Sequence, residues 1–417
     1  MTDSEVLVVG GGPAGSSVAF ALAGAGVDVH LVDRAHFPRP KPCAEYLSPE
    51  ASRILSAMGT LERIEATGAA ALAGVRVRAP NGRVIAGDFV AGHGFRGFRD
   101  RGLSVRREVL DAIVLDAARG SGARVTEGVR VTGLVTQGDS VVGVSTLGAS
   151  GAGELRARLV IGADGLRSVV ARRLGVARTL RWPRRIALVT HYANVGDVGE
   201  HGEMHVERDG YVGIADVGNG LTTVALVVPA RRSREIMGDR SEFLDAWLRA
   251  RRHLAPRFAR ATRATPVVAT GPFASYARRA WAPGVALVGD AADFFDPFTG
   301  EGIYAALRGG EMLAAWVREA LAAKSQRDAQ RALAQYDAER RLEFGGKWIV
   351  ERVIGAVIAA SPLINRAARG LSSRKDLADL LIGVTGNFVP PRAVISLGYL
   401  WGVFGWGAGR SADLHKF

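Results

Sequence analysis

A single cysteine, Cys43, serves the whole 417-residue chain. That excludes an intramolecular disulfide framework and any CxxC redox or zinc pair. Lysine is scarce too, with five of 54 cations, the rest being arginine. A net charge of +13 suits nucleic acid, an anionic membrane or an acidic ligand. The arginines are scattered, however, and form no basic stripe interleaved with aromatics, so nucleic acid is not expected as a partner. No uncharged apolar run reaches the roughly 20 residues of a spanning helix. The nearest, "AVISLGYLWGVFGWGAG" (393–409), holds five glycines and reads as a buried tail, with a lipid-contacting surface as the alternative. The opening "MTDSEVLVVGGG" carries Asp3 and Glu5 and no basic stretch, so no signal or transit peptide is expected. A cytoplasmic protein is expected, with peripheral membrane contact through the C-terminal region as its variant. No metal site is expected either. His201 and His205 have H-x3-H spacing, but on a strand they lie far apart, and two histidines are too few.

What is present is a large apolar core. Hydrophobic residues make up 48% of the chain, and the length calls for two lobes or a large α/β body. "EVLVVGGGPAGSSVAFALAGAGVDVHLVD" reads strand, tight turn, helix over Ser16–Ala25, strand, with Gly26 closing the helix. A helix at Ser104–Gly122 follows. Alternating strands near 124–127, 129–135 and 141–146 then lead as a meander into "LRARLVIGADG". Residues 185–228 alternate as antiparallel strands, and the chain after Ala315 is mostly helical. The expected fold is a doubly wound, Rossmann-type α/β domain, discontinuous in sequence, with an antiparallel sheet insert for substrate and a C-terminal helical region. Its pieces are 1–74, 104–178 and 271–320 for the nucleotide, 75–103 and 179–270 for the sheet, and 321–417 for the helices.

Gly10, Gly12 and Gly15 form G-x-G-x-x-G between a strand and a helix. The three glycines permit a tight turn, close approach of a pyrophosphate, and close packing of helix on strand. Asp33 ends the next strand at the distance needed for a ribose hydroxyl, with Arg34 beside it. An acid there favours an unphosphorylated ribose, leaving NAD or FAD. No second G-x-G-x-x-G follows a strand.

Four segments, "VVGGGPAGSS", "VRREVLDAIVLDAA", "IGADGLRSVVARRLG" and "ALVGDAADFFDPFTGEGI", together resemble the FAD-dependent class of p-hydroxybenzoate hydroxylase-type enzymes, geranylgeranyl reductases and flavin halogenases. "FPRPKPCAEYL" and "TGEGI" resemble the geranylgeranyl reductase branch most. The resemblance implies FAD, with its ADP end on Gly10–Gly15 and its ring end on Gly289, Asp290, Pro297, Gly300, Gly302 and Ile303. Arg107, Asp164 and Gly165 would also contact the cofactor. No residue is assigned as general base, and Pro297 and Cys43 are candidates beside the flavin. His191 and Tyr211 are candidates for the substrate pocket. "DGYVGIADVG" keeps the Tyr of a strand that the reductases carry beside substrate, but not its Trp or Phe-Pro.

An FAD-dependent oxidoreductase on a small hydrophobic substrate (aromatic, polyketide-like or terpenoid) is therefore expected. NAD(P)H, or a separate flavin reductase, would supply electrons. The favoured reaction is monooxygenation, hydroxylation or epoxidation through a flavin C4a-hydroperoxide. The alternative is reduction of isolated C=C bonds, as in geranylgeranyl reductases. A non-catalytic, membrane-associated FAD-binding protein is the reading of a different class.

Overall fold

The computed structural model describes residues 2–182 and 184–405. The strand Ser4–Val9 is buried almost throughout, as an unbroken Val/Leu run in a parallel sheet must be. Val29–Asp33 lies parallel to it on one side and Gly151–Gly162 on the other. Arg124–Glu127 extends the sheet beyond Val29–Asp33, and Val285–Leu287 extends it beyond Gly151–Gly162, both again parallel. Chain segments from three distant stretches thus complete one nucleotide sheet.

Two local expectations are corrected. The first helix runs Pro13–Gly24 and not from Ser16. Pro13 explains the earlier start, because its missing N–H is one that a first helical turn leaves unpaired anyway. Arg124–Glu127 does not belong to the meander, which contains only Arg130–Gln137, Ser140–Gly148 and Gly151–Gly162. The helix Arg107–Gly120 carries the chain back across the sheet, so the next strand enters parallel to Val29–Asp33.

The second sheet orders Thr262–Arg263, Arg185–Ala193, Leu221–Pro229, Gly210–Asp216, His201–Glu207, Gly74–Arg78 and Val84–Asp88. All neighbours are antiparallel except His201–Glu207 with Gly74–Arg78. Its side chains alternate between two cores, as the period of two requires. Leu188, Val212, Leu226 and Val228 face the helix Arg240–Arg249 through Leu244, Trp247 and Leu248. Ala187, Val189, Ala225 and Val227 face the opposite way, toward C-terminal helices that contribute Ile358, Leu371 and Leu377.

Those helices are Gln326–Ala359, Ser361–Leu371, Lys375–Thr385, Arg392–Ile395 and Leu397–Phe404. No single helix among the described residues is long and apolar enough to cross a membrane. Only Gln326–Ala359 and Ser361–Leu371 reach that composition jointly, and they bend by 110°. Of the apolar stretch 393–409, the part from residue 406 lies outside the described residues.

Candidate active site

The Gly-rich turn is shaped by close approach of backbone. Gly10 has φ +108°, and a Cβ on it would lie 2.5 Å from the Ala163 carbonyl oxygen. A Cβ on Gly15 would lie 1.9 Å from the carbonyl oxygen of Gly10 itself. Asp33 secures the same turn. Its Oδ2 accepts the Gly11 N–H at 2.7 Å and its Oδ1 accepts the Ala35 N–H at 2.8 Å. A ribose hydroxyl on this carboxylate would share it with two backbone donors.

The second turn is brought to the first by the two helices that follow them. Ser17 donates to the Leu307 carbonyl at 3.0 Å, and Gly310 leaves room for Ser17 and the backbone of Ala14. Gly289, at φ +63°, lies where a Cβ would stand 2.9 Å from the Ala14 Cβ. Pro13–Gly24 and Gly302–Ala322 therefore cross at small residues, and both N-termini open into one cavity. Gly12 and Ala14 line one part of it, and Asp290, Pro297, Gly300, Gly302 and Ile303 line another. A nucleotide long enough to have two ends fits this arrangement.

The charges near these turns fit a diphosphate. Arg107 and Lys41 line the cavity. Arg107 is held by a bidentate pair with buried Asp111, both bonds at 2.8 Å, and Arg39 stands 3.3 Å from the same carboxylate. Burial and the nearby Arg107 guanidinium lower the pKa of Lys41, against the pull of Asp290 at 4.0 Å. An anion among these groups would relieve that repulsion.

Comparison with known proteins agrees with this geometry. Residues 3–346 match the family described as an FAD binding domain. The chain belongs to that FAD-binding family. It is 30% identical over 392 residues to digeranylgeranylglycerophospholipid reductase 2 of Methanopyrus kandleri, covering 92% of this chain and 93% of the relative. A reductase of the same kind from Methanosarcina acetivorans is 29% identical over 328 residues, covering 76% of this chain and 75% of that one. Among solved structures, the myxobacterial chondrochloren halogenase CndH superposes with a TM-score of 0.79 at 23% identity, covering 98% of each chain. The geranylgeranyl bacteriochlorophyll reductase-like protein of Thermoplasma acidophilum gives 0.70 at 23% identity, covering 96% of this chain and 95% of that one. The protein is an FAD-dependent oxidoreductase with a Rossmann-type fold.

Within this FAD-binding protein the remaining candidates separate. Gly165 and Cys43 line the cavity. Arg34 is exposed and does not line it. Asp164 is absent from the lining too. Its Oδ2 accepts the Val169 and Val170 N–H groups at 2.6 and 3.3 Å at the start of the Val169–Arg173 helix, and its buried Oδ1 has no partner among the described residues. Tyr211 lines the cavity and donates to Asp296 Oδ1 at 2.8 Å. His191 does not line it. The ring stands one layer back, with Nε2 2.7 Å from Glu45 Oε2 and Nδ1 3.0 Å from Thr265 Oγ1.

Glu45 is one residue that sequence reasoning missed. It is buried, lines the cavity, has φ +63° and accepts the Arg107 N–H at 2.8 Å. It therefore links the loop after the second strand, the Arg107 helix and the second sheet. Nothing in "PCAEYL" marks it, because its partners His191 and Arg107 are far away in sequence.

Glu301 was also missed, although it stands inside "TGEGI". It is buried, and its Oε1 has no hydrogen-bond partner among the described residues. Burial pushes its pKa up to about 7, against the attraction of Lys347. Glu351, raised by burial and by Glu301, stands with it around a second, smaller cavity behind the ring-end loop. The folded chain thus binds more protons than the unfolded chain between the ordinary Glu range and pH 7, so this site's contribution to stability falls as pH rises through that window. Glu301→Gln is expected to stabilise the protein at about pH 8 and hardly at all at about pH 4. Urea unfolding at the two pH values checks this, and an equal effect at both would refute it.

Proposed function

We propose that the protein reduces isolated C=C bonds in a long, apolar, prenyl-like substrate, the alternative and not the favoured reaction of the sequence reading. The observation that carries it is the apolar lining of the cavity beyond the two turns. It continues between the second sheet and the C-terminal helices, floored by Val75, Val77, Ala187 and Val227 and roofed by Leu381 and Ile382. Gly202 and Gly213 on the same sheet leave its floor low. Such a channel suits a flexible hydrocarbon, and its walls keep water out. The relatives named digeranylgeranylglycerophospholipid reductases support the same reading.

FAD, bound and reduced, supplies the hydride for one alkene carbon. The chain's own part is to hold the cofactor between two helix N-termini, align the alkene along the apolar channel, and keep a proton source near. Cys43, Glu45 and Tyr46 line the cavity and carry groups able to hold a proton. The reductant is NAD(P)H or a separate flavin reductase.

The test is anaerobic. FAD-loaded protein, reduced with dithionite under argon, receives a digeranylgeranylglycerophospholipid. The expected result is reoxidation of the flavin without O2 and a lipid heavier by one H2 for each bond lost. Reduced flavin that persists until air is admitted, followed by substrate-dependent O2 uptake and an oxygenated product, would overturn the reading in favour of monooxygenation.

A further inference from the structure

The helix Leu397–Phe404 has two unlike faces. Tyr399 and Val403 are buried, and Tyr399 donates to the Leu377 carbonyl at 3.2 Å. Gly370 crosses it so closely that a Cβ would lie 2.2 Å from the Val403 carbonyl oxygen, and Gly402 leaves room for Leu377 in the same way. Arg366 donates twice to the Phe404 carbonyl, at 2.6 and 3.1 Å. The helix is therefore firmly docked. Its other face is bare among the described residues. Leu397 is 88% exposed and Trp401 77%, and one helical turn apart they lie side by side. Ile395, Ser396 and Gly398 are exposed beside them.

This is an unusual cost for a surface helix to carry, since both side chains are large and apolar. The charge around it is equally one-sided. Residues 352–405 contain six cations and two acids, and no acid lies between Asp379 and Gly405. Arg369 and Arg392 are exposed. Arg374 and Lys375 are paired with Asp376, Asp88 and Asp379, but a Trp and a Leu presented together, with the exposed Arg369 and Arg392 on neighbouring helices, still have the composition of an interfacial helix on anionic lipid. Position gives the surface a use. Leu377 touches the Leu397–Phe404 helix, while Leu381, Ile382 and Thr385 of the same Lys375–Thr385 helix line the cavity. One helix thus separates the bare face from the apolar channel.

We propose that Leu397 and Trp401 dock this protein on an anionic phospholipid bilayer, with Arg369 and Arg392 reading the headgroup charge. The helix lies in the interface and does not span the membrane. Docking goes beyond the proposed reaction and needs no turnover, so it can fail while the reductase reading stands, and the reverse.

The experiment uses the full-length, FAD-loaded protein and sedimented vesicles. Phosphatidylglycerol/phosphatidylcholine vesicles are expected to carry most of the protein down, and pure phosphatidylcholine vesicles little of it. Leu397→Asp combined with Trp401→Asp should lower the partition coefficient at least about tenfold, while FAD content and unfolding temperature stay unchanged. Arg369→Gln with Arg392→Gln leaves the apolar face intact and should weaken binding and flatten its salt dependence. No sedimentation of the unaltered protein, or equal sedimentation of the Asp variant, would overturn the proposal. So would a dimer in vesicle-free solution that the Asp variant splits, since the face would then belong to a second copy.

Discussion

Gly15→Ala is expected to give a chain that binds FAD at least about a hundredfold more weakly, a loss of about 2.7 kcal/mol, and is colourless as purified. The added methyl would stand 1.9 Å from the Gly10 carbonyl oxygen, and Gly10 has no room to retreat, since Ala163 backs it at a similar approach. Both obstacles are backbone. The helix Pro13–Gly24 must therefore move off the strand, beyond the about 1–3 kcal/mol of ordinary overpacking. That motion reaches the ring end of the site through Ser17, Leu307 and Gly310. Gly24→Ala is the control. Nothing lies within 4 Å of a Cβ there, and it should bind FAD normally and be slightly more stable. Flavin absorbance per chain reads both. An alanine at position 15 with full FAD would refute the account of the turn.

Arg185→Met is expected to cost about 3–5 kcal/mol of stability. Arg185 is buried, pairs with the Asp296 carboxylate and donates to the Gly355 carbonyl at 2.8 Å. Asp296 in turn accepts from Tyr211 and from the Phe298 N–H at 3.1 Å. One ion pair thus ties the second sheet, the ring-end loop and the long Gln326–Ala359 helix. Removing the cation leaves a carboxylate buried without its charge partner, the situation that makes such losses large. Asp296→Asn should cost less, and the double variant should fall well short of the sum of the two. Denaturant unfolding of the four proteins measures it. A loss below about 1 kcal/mol for Arg185→Met, or full additivity, would show the pair to be incidental.

The nucleotide half was legible because its signals are local. Gly10, Gly12, Gly15 and Asp33 lie within one strand–helix–strand unit, and Gly10, Gly15 and Asp33 are each required by geometry a few ångströms away. The ring-end loop was legible for the same reason. Long-range pairs left no trace in the chain. Arg185 and Asp296 are 111 positions apart, and His191 and Glu45 are 146 apart. An arginine opening a strand reads as solvated until its partner is known. The reaction was the hardest part, because it depends on what the sheet and the C-terminal helices enclose together.

The sheet pairings set an order on synthesis. Gly74–Arg78 has His201–Glu207 as its parallel neighbour, so it stays half-paired on the ribosome until residue 207 emerges. The cofactor turn waits longer, because the wall made by Val285–Leu287 and Gly302–Ala322 comes later in the chain. A nascent chain that ends before Ile303 therefore displays the dinucleotide turn with nothing to close on the ring. Capture of FAD is therefore expected to wait for that helix, and a chain stopped before it is expected to stay apoprotein with open strand edges, a target for chaperones and proteases.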